Sequence, residues 1–128
     1  MSILIIFETS LTSFWLVLEV TMAREGDFQQ DLIEEIEERF PGAFIMKNDP
    51  TYIQGIPDLT VLIGDQWFVL EVKESSKAKY RPNQPYYIRL LNEMSYATRV
   101  TPENKEDVLN EIQSALKPGR APRIPRSK

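Results

Sequence analysis

The stretch Gly55-Ile-Pro-Asp-Leu-Thr-Val-Leu-Ile-Gly-Asp-Gln-Trp-Phe-Val-Leu-Glu-Val-Lys73 reads as two apolar strands joined by a tight turn. Gly64-Asp65 is a two-residue hairpin signal, with glycine at the first central position as a type II′ turn requires. With that loop Ile63 opposes Gln66, and counting outward along the strands sets Asp58 opposite Glu71. Opposed residues share a face with Cβ atoms about 5 Å apart, and side chains alternate, so Lys73 returns to the face of Glu71. Leu59, Val61, Phe68, Leu70 and Val72 make one apolar face, and Leu62, Trp67 and Val69 the other. A strand apolar on both faces is a strand covered on both sides. Two carboxylates and an amine emerging from such a strand are costly unless something positive sits between the acids. Hard, oxygen-preferring Mg²⁺, held by one or two carboxylates together with water and phosphate oxygens, answers that requirement. The competing reading is a surface ion pair of Glu71 with Lys73 beside an aspartate that merely starts a strand.

The rest of the chain bounds the chemistry. Its 128 residues, 42% hydrophobic, suffice for one domain with a core. With no cysteine, disulfides and thiolate metal sites are excluded, and with no histidine the commonest base and zinc ligand is missing. Chemistry here falls to carboxylates, lysine or tyrosine. The net charge of -4 is mildly unfavourable for nucleic acid, but it is unevenly spread.

Residues 1–21 are apolar, contain Glu8 and Glu19 and no basic residue, and fit neither a signal peptide nor a membrane span. They are expected to be an upstream extension of the reading frame, an accessory strand or an edge hairpin, with the domain proper over 22–116. From Glu25 to Phe40 the spacing of Phe28, Leu32, Ile33, Ile36 and Phe40 predicts a helix stopped by Pro41-Gly42. Glu25 falls within its inward stripe, although a first-turn acid is also favoured by the helix dipole. Ala43 to Lys47 reads as a strand, Asn48-Asp49-Pro50 as a turn. Lys47 and Asp49 are candidates to touch a substrate, against plain turn chemistry for Asn48 and Asp49. Gln84 to Met94 is expected to be a helix with Tyr87, Ile88 and Leu91 inward, Gln84 on the same side and Asn83 as a helix cap. A strand at Ala97 to Val100 follows, and Thr101-Pro102-Glu103 opens a last helix with Val108, Ile112 and Leu116 inward. From Lys117 onward five basic residues, three prolines and no acid describe a disordered basic tail over 117–128, which would draw DNA phosphates without sequence preference.

Pro57-Asp58 followed by Glu71-Val72-Lys73 resembles the signature of the PD-(D/E)XK nucleases, and Gly55-Ile-Pro-Asp58 with the later Pro82-Asn-Gln84 resembles their VRR-NUC branch, over roughly Arg24 to Leu116. The resemblance implies an α/β fold with a restriction-endonuclease-like core, a central mixed β-sheet flanked by α-helices. It implies a Mg²⁺-dependent DNA endonuclease, with Mn²⁺ able to substitute and branched junctions among its substrates. Asp58, Glu71 and the Val72 carbonyl would hold the metal with Glu25 as an additional metal or water ligand, Lys73 would orient the attacking water, and Gln84 would orient water or phosphate. Lys77, Lys79 and Arg81 resemble a phosphate-contacting loop, with a solvated basic loop as the ordinary alternative. A homodimer, a cytoplasmic location (the host's, if phage-encoded) and no organic cofactor are also implied. The rival readings are a catalytically silent nuclease-fold module that binds nucleic acid or assembles with partners, and a protein anchored to a membrane by its leader.

Overall fold

The computed structural model describes residues 2–116 and holds three helices around one four-stranded sheet: α1 (Ser2–Arg39), β1 (Phe44–Lys47), β2 (Leu59–Ile63), β3 (Gln66–Val72), α2 (Gln84–Met94), β4 (Tyr96–Val100) and α3 (Lys105–Ala115). The strands lie in sequence order, β1-β2-β3-β4, antiparallel at the first two pairings and parallel between β3 and β4, where α2 makes the crossover. The fold is therefore mixed α/β, with a mixed sheet between helices.

The hairpin register is the one that the Gly64-Asp65 turn dictates. Ile63 pairs with Gln66, Leu62 with Trp67, and the ladder closes at Leu59 with Leu70. Gly64 has φ of 62° and Asp65 is not left-handed, the combination a type II′ turn needs. One face of the sheet carries Leu59, Val61, Phe68, Leu70, Val72 and Val100, buried against Leu32, Ile33, Ile36 and Phe40 of α1 and Val108, Leu109 and Ile112 of α3. Each of these is almost fully removed from water, a burial that stabilises by about 1.5–3 kcal/mol per large side chain. Ion pairs of Lys105 with Glu35 at 2.8 Å and of Arg39 with Glu106 at 3.3 Å seam α3 to α1 at the surface. The opposite face is covered by α2 over β3 and β4, where Val69 and Ala97 are buried. Tyr87, Ile88 and Leu91 lie half-buried on that helix.

Three local expectations are corrected. The leader is neither strand nor edge hairpin but the outer part of α1, which runs through residues 21 and 22 without a break. No glycine, proline, asparagine or aspartate occurs before Gly26, so nothing interrupts helix propagation, and the β-branched residues that suggested strands are outvoted. Asn83 does not cap α2 with its side chain. It sits in the left-handed region at φ 70° without a side-chain cap bond. The last helix begins at Lys105, after a turn in which the Thr101 amide donates to Asn104 Oδ1 at 2.7 Å. The basic tail lies outside the described residues.

Candidate metal centre and catalytic site

Strand β2 leaves the ladder one residue before it would pair Asp58 with Glu71. The free backbone amide of Val72 is met instead by the side chain of Asp58, whose Oδ2 accepts from it at 2.8 Å. A side chain thus takes the place of a strand carbonyl, which fixes the carboxylate at the end of the sheet. Asn48 secures the same corner from β1. Its backbone amide donates to the Asp58 carbonyl at 2.8 Å, its Nδ2 to the Pro57 carbonyl at 2.8 Å, and its Oδ1 accepts from the Thr60 hydroxyl at 3.0 Å. Asn48 is therefore more than a turn residue. Asp49 behaves as turn chemistry requires, accepting from the Thr51 amide and hydroxyl at 2.8 and 2.6 Å, which holds its carboxyl below the usual range.

Glu71 and Lys73 follow the alternation of β3 onto the α2 face and are 1% and 3% exposed. Their charged groups stand 3.9 Å apart, the outer limit of an ion pair. Burial pushes the Glu71 carboxyl up from its ordinary 4.5 to about 9, reinforced by the neighbouring Asp58 carboxylate, while Lys73 pulls the other way without prevailing. Glu71 Oε2 is buried without a hydrogen-bond partner. Such an atom costs about 1–3 kcal/mol and calls for an explanation in terms of something that binds there.

Glu25 approaches from α1. Burial raises its pKa, Lys73 lowers it, and Asp58 raises it again, so it lies within electrostatic reach of both. Among the described residues no group of three or more acidic side chains is close enough to hold a metal ion by itself. Val72 contributes its amide to Asp58 and its side chain to the core. Gln84 is 5% exposed, and its Oε1 accepts from the Arg81 amide at 2.7 Å, closing the Arg81–Gln84 turn that the Asn83 side chain does not cap. Lys77, Lys79 and Arg81 are exposed, and the charge of Arg81 is felt at Glu25. Lys47 pairs with Leu59 and by strand alternation stands on the α1 face, away from Glu71 and Lys73.

Two parts of the site are silent in the sequence. Arg99, the parallel partner of Glu71, donates to the carbonyls of Ser75 and Ser76 at 2.9 and 2.8 Å and stacks over Tyr80 at 4.9 Å, which ties the basic loop to β4. A parallel register across a helical crossover has no local signal, so its facing was unreadable. Gly55, at φ 91°, lies so close to the second loop that a Cβ there would come within 2.6 Å of Asn83 Cβ and 2.8 Å of the Pro82 carbonyl oxygen. The Gly-Ile-Pro-Asp loop and the Pro-Asn-Gln loop therefore interlock, and only glycine combines that φ with that approach. No helix among the described residues is long and apolar enough to cross a membrane. In comparisons with known proteins, no family model and no curated protein matches the chain.

Proposed function

We propose that this chain is a metal-dependent DNA endonuclease of PD-(D/E)XK type, close to the VRR-NUC branch. The observation that carries the reading is the meeting of Asp58 and Glu71, with a buried, unpartnered oxygen on Glu71 and the Lys73 ammonium 3.9 Å away. The donor set suits a hard divalent cation: two adjoining carboxylates, one with an oxygen that nothing in the protein satisfies, and no nitrogen or sulfur ligand. Asp58 and Glu71, with the Val72 carbonyl, would hold Mg²⁺ or Mn²⁺, and Glu25 would meet it through water. The cation when bound would supply Lewis-acid polarisation of the phosphate and a more acidic water.

The protein's own groups do the rest. Lys73 is held in the sheet with its amide donating to the Val100 carbonyl at 2.9 Å, so its ammonium has a fixed origin from which to orient a water and meet developing negative charge. Gln84 has its oxygen committed to Arg81, which leaves the Nε2 hydrogens as its donors toward a phosphate. Lys77, Lys79 and Arg81 border the site as exposed cations and would grip the backbone of the strand being cut. Phe44 and Met46, 62% and 40% exposed on edge strand β1, offer apolar surface for the homodimer that the resemblance implies.

A Mg²⁺ and Mn²⁺ titration of cleavage on linear, single-stranded, flapped and four-way DNA tests the reading. Cleavage should need the cation and vanish in Asp58→Asn and Glu71→Gln, with DNA binding retained. Undiminished cutting by either variant overturns the assignment. DNA affinity without cleavage under any cation would identify a silent nuclease-fold module.

A further inference from the structure

We propose that the cavity beside the candidate site is a nucleobase pocket, which receives one unpaired base of the strand whose phosphate is presented to Asp58 and Glu71. The proposal rests on the nuclease reading and adds the form of the substrate.

The cavity, ≈ 320 Å³, lies on the α2 face of the hairpin, with Thr60, Trp67 and Val69 as its floor and Ile53, Ile56 and Leu91 as walls. This is the low end of the range for small-molecule sites and suits a single flat ring system. Tyr52 stands at its mouth, 85% exposed. At that exposure both faces of the ring are open for a planar group to lie against. Two aromatic rings around an apolar slot form a stacking platform, the device by which proteins hold bases of unpaired strands whatever their identity. The polar wall is Asn48 with the exposed Asp49 beside it, and the hydrogen bonds of Asn48 to the Pro57 and Asp58 carbonyls join the cavity to the corner that fixes the Asp58 carboxylate. On β3 the floor residue Val69 and the candidate ligand Glu71 are alternate residues on one face, about 7 Å apart. A base in the pocket and the phosphate of an adjoining nucleotide at the acids are thus within the span of one short piece of strand. A duplex could not enter, because its bases are stacked and paired. The pocket therefore favours single strands, flaps or the unpaired residues at a junction.

Binding of an end-labelled dT12 oligonucleotide, measured by anisotropy in EDTA, reads binding without cleavage, and the variants below separate the pocket's share from that of the basic loop. Loss of the stacking ring in Tyr52→Ala should weaken binding about 5- to 150-fold, whereas Tyr52→Phe should bind as the parent. In a Trp15→Phe background Trp67 is the sole tryptophan, and its emission should be quenched as dT12 binds. Replacing one thymidine at a time by an abasic residue should weaken binding to the parent at one position and add nothing to the loss in Tyr52→Ala. Unchanged affinity in Tyr52→Ala, unmoved Trp67 emission on saturation, or no binding of dT12 at all overturns the pocket. Metal-dependent cutting that survives such a result leaves the nuclease standing, and binding with quenching but no cutting leaves the pocket standing without it.

Discussion

Replacing Glu71 by glutamine should stabilise the metal-free protein while destroying the site. Glu71 is buried at 1% exposure, its carboxyl pushed up to about 9 from an ordinary 4.5 by burial first and by Asp58 second. The native state thus keeps a proton that the unfolded chain releases once the pH passes 4.5. Folding then binds more protons than unfolding, so stability is greatest below 4.5 and declines as pH rises, until the native carboxyl ionises near 9. The loss is about 1.4 kcal/mol per pH unit, hence about 3 kcal/mol between the onset and pH 7. Glutamine has nearly the same shape, carries no proton to lose, and can donate to the Asp58 carboxylate. Urea unfolding in EDTA at pH 5, 7 and 8.5 should show the two proteins converging at pH 5 and Glu71→Gln ahead by about 3 kcal/mol or more at the higher values. Millimolar Mg²⁺ should raise the parent at pH 8.5 and leave the variant unmoved, since only the parent offers the paired carboxylates. Parallel pH profiles for the two proteins, or a variant less stable at pH 8.5, would refute the account of a strained acid pair.

Gly55→Ala should destabilise by about 2 kcal/mol or more, through its left-handed φ and the contact with Asn83, and should cut cleavage in proportion as the two loops separate; thermal melts and rates read both. Asn48→Ala removes two side-chain hydrogen bonds, to the Pro57 carbonyl and from the Thr60 hydroxyl, and should cost about 1–3 kcal/mol with a larger loss of cleavage than of DNA binding, visible by comparing turnover with affinity. Neutralising Lys77, Lys79 and Arg81 together should weaken binding to all DNA sequences alike and lower the slope of log affinity against log salt by about 2–3, with Lys47→Ala changing it less.

The hairpin was legible because its information is local: a glycine at the turn and strict alternation on either side determine the partners of every residue from Leu59 to Leu70. The same held for α2, whose limits follow from Pro85 and from the spacing of Tyr87, Ile88 and Leu91. The proximity of Asp58, Glu71 and Lys73 came from that register, and the approach of Glu25 from helical periodicity. What stayed hidden depends on contacts distant in the chain. Leu11 to Val20 contain residues common in strands, yet without a turn signal the helix simply continues outward past the core that defines its inner half. Neither the interlock of Gly55 with Asn83 nor the Arg99 strut to Ser75 and Ser76 has any pattern at its own position, since each is decided by where another segment ends up.

The Val72 amide answers to Asp58 rather than to a neighbouring strand. Its protection from solvent exchange therefore reports the posture of one carboxylate, while the amides of Phe68 and Leu70 report the sheet. The site can slacken and re-form with the β-ladder intact, and deuterium uptake at this single position would time that breathing separately from unfolding.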